Sequence, residues 1–213
     1  MTLPDPPARH DFVWLGPTWR THLLTRSDAA DEALLAGWIE AAHPLVIARR
    51  QPGDGPDTLR LGLALPDKRR IGLHIRLMAI SRRQPPPSLR AVAAPVSWAP
   101  TLAMLDGTDA RVYGSLAWAA LTGLDYVRPD QSDLDLLFDV PDRRRLETLT
   151  QTLAPLCLWE RPRLDGEFLL PGGLAIAWRE WLGGGTQVLV KGMDRVFLAS
   201  RQSSLADLQG EAA

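Results

Sequence analysis

S-D-L-D-L-L-F-D-V, Ser132 to Val140, alternates polar and apolar residues and predicts a β-strand with one face in a core. Residues i and i+2 of a strand point to the same side. Asp133 and Asp135 therefore project together, while Leu134 and Leu136 face inward. Two ionised carboxylates at about 7 Å spacing repel each other unless a positive group lies between them. A divalent cation removes that conflict. Magnesium takes a few carboxylate oxygens and completes its shell with water and phosphate. Two such ions stabilise both the attacking and the leaving oxygen of a phosphoryl transfer.

Upstream, V-Y-G-S-L-A-W-A-A-L-T-G runs from Val112 to Gly123. A-R-V-Y reads as a brief strand ending at Tyr113, and L-A-W-A-A-L-T reads as a helix that Gly123 terminates. Gly114 and Ser115 occupy the turn between them. Glycine lets another group approach the backbone, a helix N-terminus offers amide donors to an anion, and Ser115 adds a hydroxyl. The pair is a candidate phosphate cradle beside a candidate metal site, which makes a metal-dependent nucleotidyltransferase the leading reading.

The rest of the chain sets bounds. Its 213 residues suit one large domain or two small ones, and 46% hydrophobic residues supply a core. A net charge of −1 gives no general drive toward nucleic acid or acidic membranes. The single cysteine, Cys157, excludes an internal disulfide and a thiolate zinc site, and reads as a small buried hydrophobe. His10, His22, His43 and His74 lack metal-ligand spacing, and eight tryptophans read as packing. No apolar run reaches the length of a membrane span, and the N-terminus lacks a signal pattern, so the expected setting is cytoplasmic.

Residues 1–10 read as a loose lead-in and 28–42 as a helix capped by Asp28. Strands follow from Pro44, in L-R-L-G-L-A-L-P, and in R-R-I-G-L-H-I-R-L-M-A-I from Arg69, with a turn at Gln51 to Asp57. The three prolines in R-R-Q-P-P-P-S-L, Arg82 to Leu89, favour an extended linker. The expected organisation is α+β. A small α+β domain at residues 1–85 precedes a mixed sheet with flanking helices at 86–213. In the second part a short helix is expected near Pro100 to Leu105, and another at 142–153 with Pro141 at its start. Strands are expected around Glu167–Leu170, Leu174–Trp178, Gln187–Lys191 and Arg195–Leu198.

The G-S turn opening a helix, followed by a D-x-D strand, resembles the polymerase-β-like nucleotidyltransferase superfamily. The gap between the two motifs is longer here, and the loop Asp125 to Gln131 accounts for it. A closer likeness covers nearly the whole chain. The run V-Y-G-S-L-A-W-A-A-L-T-G-L-D-Y-V, then S-D-L-D-L-L, L-D-G-E-F-L-L-P-G-G-L-A-I-A-W-R-E and V-L-V-K look like one family. It is the malonate decarboxylase holo-acyl-carrier-protein synthases, or phosphoribosyl-dephospho-CoA transferases. H-D-F-V-W-L, P-L-V-I-A-R-R and R-R-I-G-L are similar to that family's N-terminal domain.

The resemblance implies transfer of a phosphoribosyl-dephospho-CoA group from its triphosphate precursor to a serine of the apo acyl carrier protein of malonate decarboxylase, with release of diphosphate. It also implies magnesium, two ions being expected, at Asp133 and Asp135. A third carboxylate from a neighbouring strand would ligate one metal and help deprotonate the carrier serine. Asp165 and Glu167, sharing one strand face, are the candidates. Gly114 and Ser115 would bind the β- or γ-phosphate, with Lys191 neutralising triphosphate charge. Asp139 is expected to be structural, and Arg179 and Glu180 to form an internal ion pair. The pairs Arg49–Arg50, Arg69–Arg70 and Arg82–Arg83 offer charge to an acidic carrier. The competing readings are a nucleotidyltransferase using an ordinary nucleoside triphosphate, a non-catalytic carrier-binding module, and a structural protein.

Overall fold

Short alternating strands build the first sheet. β1 (Phe12–Leu15) is followed by helix α1 (Ala29–Glu40), then by β2 (Leu45–Ala48), β3 (Thr58–Ala64), β4 (Arg70–Arg76) and β5 (Ile80–Gln84). They pair antiparallel throughout, in the order β4-β3-β2-β1-β5. Every second residue is apolar and buried: Leu45 and Ile47, Leu59, Leu61 and Leu63, Ile71, Leu73 and Ile75. α1 buries Leu35 and Trp38, and the Trp38 indole donates to the Pro44 carbonyl at 2.8 Å, tying the helix to the start of β2. Asp54 pins the β2–β3 turn. It accepts from Arg60 Nε at 2.7 Å and from the Gln51 amide at 2.7 Å, and these bonds hold its carboxyl down at about 2.

The second sheet is mixed. Helix α2 (Ala99–Met104) precedes β6 (Arg111–Val112), α3 (Gly114–Thr122), β7 (Leu134–Asp139), α4 (Arg143–Leu153), β8 (Leu164–Leu170), β9 (Leu174–Ala177), α5 (Trp178–Leu182), β10 (Gln187–Lys191) and β11 (Val196–Ser200). The order is β11-β10-β9-β8-β7-β6, with β7 and β8 parallel and the other pairs antiparallel. Residues paired across neighbouring strands share a face. One face carries Leu134, Leu136, Phe138, Leu164, Phe168, Ile176, Val188 and Val190, all buried, with Phe138 and Phe168 edge to face. The other carries Asp135, Leu137, Asp165, Glu167 and Lys191. Gly166 stands opposite Leu136 at φ +143°, where a Cβ would lie 1.8 Å from the Leu136 carbonyl oxygen. Only glycine lets β7 and β8 close up there.

This computed structural model describes residues 6–25, 29–158 and 161–203. The expected cap at Asp28, the first half of the lead-in and the chain end after Ser203 lie outside them. The chain divides into two compact units between Pro86 and Pro87, with Leu121–Leu124 grouped with the first. Among the described residues no helix is long and apolar enough to cross a membrane.

Several expectations need correction. Arg82 to Gln84 are not linker but the end of β5, and they pair with β1 through Arg82–Trp14, Arg83–Val13 and Gln84–Phe12. The strand expected from Arg69 stops at Arg76. A 3-10 turn at Leu77–Ala79 redirects the chain into β5. Trp178 begins α5 instead of ending β9. Asp142, not Pro141, caps α4, accepting from the Arg145 amide at 2.7 Å.

Candidate active site

The site is built where β6 gives way to α3 and where β7 and β8 begin. The Tyr113 amide donates to the Asp135 carbonyl at 3.1 Å, so the G-S turn is fastened to β7 by backbone. Gly114 opens α3 at φ +61°. A Cβ built on it would fall 1.9 Å from Asp135 Oδ2 and 2.8 Å from Asp135 Cγ. The carboxylate thus lies directly over the glycine, in space no other residue leaves open. Ser115 follows in the first turn, whose amides have no partner within the helix. Leu116, Ala117 and Trp118 anchor the helix in the core.

Parallel pairing sets Asp135 opposite Asp165 and Leu137 opposite Glu167. Asp133 lies one residue ahead of β7, not in the strand as expected. Its Oδ2 accepts from Arg163 Nη1 at 2.9 Å, and Arg163 Nη2 stands 4.0 Å from Asp165 Oδ2. Burial, then the charges of Asp165 and Asp133, push the Asp135 carboxyl up from 3.8 to about 7, with Arg163 pulling the other way. Asp133 and Asp165 thus share the Arg163 guanidinium, and their charges bear on Asp135.

Glu167 and Lys191 behave differently from the expectation for either. The Glu167 side chain is only 5% exposed, and Lys191 Nζ donates to its Oε1 at 3.0 Å. Lys191 already serves a buried carboxylate. Lys191→Met should therefore destabilise the protein by about 2–3 kcal/mol, because a buried charge loses its cation. Glu167→Gln in the same chain should recover most of the loss. Urea midpoints of the single and double variants measure this, and equal midpoints for Lys191→Met and wild type would show that Glu167 does not depend on the lysine.

Arg179 and Glu180 do not pair with each other. Arg179 donates to the carbonyls of Leu164 (2.5 Å) and Cys157 (3.2 Å), and Glu180 Oε1 accepts from the Leu189 amide at 2.8 Å. Adjacent residues at a helix start diverge toward different strands, so each ties α5 to backbone. Asp139 pairs with Arg111. The arginine pairs also split. Arg83 turns inward to Asp11, and Arg69 pairs with Asp31. Arg49, Arg70 and Arg82 stay exposed, Arg82 lying over the Trp14 ring.

The sequence reading passed over Arg163. Its signal was available: R-L-D-G-E places Arg163, Asp165 and Glu167 at i, i+2 and i+4 of one strand face.

Among the described residues, no three His, Cys, Asp or Glu side chains converge in a metal-ligating arrangement. The donor set nevertheless fits a hard divalent cation. Its atoms are all carboxylate oxygens, and the charges of Asp165 and Asp133, which after burial raise Asp135, are of the kind such an ion offsets. The Arg163 guanidinium now meets part of that demand.

Residues 77–202 match the family model of the phosphoribosyl-dephospho-CoA transferase MdcG C-terminal domain, and residues 8–86 match that of its N-terminal domain. The chain is similar to the phosphoribosyl-dephospho-CoA transferase of Bradyrhizobium diazoefficiens, at 39% identity covering 96% of this chain and 95% of that protein. It is similar to proteins of the same name from Xanthomonas campestris pv. campestris, at 39% identity over 91% and 94%, and from Xanthomonas axonopodis pv. citri, at 40% over 86% and 90%. No solved structure matches the chain.

Proposed function

Because the chain belongs to the phosphoribosyl-dephospho-CoA transferase family, we propose that it is a magnesium-dependent holo-acyl-carrier-protein synthase with nucleotidyltransferase chemistry, working in the cytoplasm. It transfers the phosphoribosyl-dephospho-CoA group from the triphosphate precursor to a serine of the apo acyl carrier protein of malonate decarboxylase, releasing diphosphate. One observation carries this reading: the Asp135 carboxylate, whose proton affinity is raised by burial and by the charges of Asp165 and Asp133, rests directly over the glycine that opens α3.

Asp133, Asp135 and Asp165 would hold the magnesium. A magnesium ion bound there would supply neutralisation of phosphate charge and polarisation of the phosphoryl group. Glu167 is a poorer third ligand than Asp165, because it is buried and joined to Lys191. The chain's own groups do the rest. The first-turn amides of α3 and the Ser115 hydroxyl grip the leaving diphosphate, whose charge grows as the bond breaks. The serine Oγ attacks the α-phosphorus in line, and the bond to the diphosphate oxygen breaks. The serine proton passes to a carboxylate on the rim, for which Asp165, 39% exposed, is the better placed of the two candidates. Exposed Arg49, Arg70 and Arg82 suit an acidic carrier.

Mass spectrometry tests the whole statement. Apo carrier incubated with the protein, magnesium and the triphosphate donor should gain the mass of the prosthetic group, and chelation by EDTA should abolish the gain. Labelled nucleoside triphosphates should leave the carrier unmodified. Nucleotide transfer in place of the prosthetic group, or full transfer in EDTA, would overturn the proposal.

A further inference from the structure

The charges of the site do not balance for its substrate. Among the described residues, Arg163 pairs with Asp133 and approaches Asp165, and Lys191 is joined to Glu167. A triphosphate entering this field meets acidic side chains first. Arg163 is the other of these two cations. Its backbone is fixed, because its carbonyl accepts from the Leu134 amide at 2.9 Å. Its side chain is 53% exposed and makes one hydrogen bond, to Asp133, while the 4.0 Å approach to Asp165 is too long for another. A guanidinium has five N–H donors in a planar fork that matches phosphate oxygens. Most of that capacity points to no carboxylate.

We infer that Arg163 is a donor-binding arm: it neutralises Asp133 and Asp165 before substrate arrives, and turns onto the donor's phosphates when a divalent cation takes those carboxylates. This rests on the metal-dependent reading above. A divalent ion and the guanidinium compete for Asp133 Oδ2, and the ion carries twice the charge. The displaced guanidinium is then a long cation on a fixed Cα, beside the anion that the same ion attracts. Repulsion between the two cations adds to the turn.

Two readouts on the full-length protein test this. The first is Mn²⁺ binding without donor, followed by electron paramagnetic resonance. With its resident competitor removed, Arg163→Gln should bind Mn²⁺ at least about fivefold more tightly than wild type. The second is the steady-state reaction. Arg163→Gln should raise the KM for the triphosphate donor about tenfold while kcat falls less than about threefold, and Arg163→Lys should lie between on KM. A merely structural arginine moves neither Mn²⁺ affinity nor KM in this way. Mn²⁺ affinity unchanged or weakened in Arg163→Gln, or a fall in kcat at constant KM, would overturn the inference. If wild-type binding depends on Asp135 but ignores Arg163, the arm alone fails. If wild type shows no Mn²⁺ binding that Asp135→Asn removes, the metal reading fails and the arm falls with it.

Discussion

Replacing Asp135 by asparagine should lower carrier modification at least about 1000-fold and, without metal, make the protein more stable at pH 8. The two effects share one cause. Asp135 is held mostly out of water and beside the charges of Asp165 and Asp133, so its carboxyl pKa rises from 3.8 to about 7. A carboxyl whose folded pKa lies above its unfolded value keeps a proton that the unfolded chain gives up. Its favourable contribution is complete below about pH 4, declines as pH rises, and is gone above about 7. At about 1.36 kcal/mol for each tenfold change in proton affinity, ionised Asp135 costs the fold up to about 4 kcal/mol above neutrality, and about 2 after allowance for its partial exposure.

Asparagine keeps the shape and never ionises. The variant's advantage should therefore be near zero at pH 4, widen up to pH 7 and hold steady beyond. Magnesium should close the gap at pH 8 by stabilising wild type alone, since binding to the folded state raises the melting temperature. Thermal melts at pH 4.5 and pH 8, with EDTA or magnesium, give the four values needed. An asparagine variant that is less stable than wild type at pH 8 in EDTA, or that keeps a tenth of the activity, would remove Asp135 from this role.

What the sequence displayed of this site was its local part. The alternation around Asp135 and the glycine before a helix are short-range patterns, and the Gly114–Asp135 contact realises both. What it hid was set by register. Asp165 stands opposite Asp135 because β7 and β8 pair in parallel, and no pattern within either strand says so. Lys191 reaches Glu167 across 24 residues and an intervening strand, a pairing that no local pattern announces. In the first unit, β5 carries two arginines on a sheet edge. Edge strands are polar where they meet water, so I-S-R-R-Q resembles a linker until β1 is placed beside it. The α+β character was legible because the strands alternate and α4 carries an apolar stripe of Leu146, Leu149 and Leu153, whereas the mixed second sheet followed from the family resemblance.

Gly114→Ala should cost about 2–4 kcal/mol of stability, about half of it through a single contact, and at least about 100-fold in transfer rate. At φ +61° an alanine carries a backbone penalty of about 1–2 kcal/mol wherever it sits. Here its methyl would also meet Asp135 Oδ2 at 1.9 Å. The carboxylate has to rotate away from the position it holds. A double-mutant cycle separates the two terms. In an Asp135→Ala background the nearest obstacle recedes to the Cβ, 3.2 Å from the new methyl, so Gly114→Ala should then cost only the backbone term. The coupling between the two positions should reach about 1–2 kcal/mol. Urea denaturation of the four proteins measures it without any substrate, independently of what the enzyme transfers. Additive losses would mean that the Asp135 carboxylate does not rest on the glycine, and the cradle and the acidic cluster would no longer be one site.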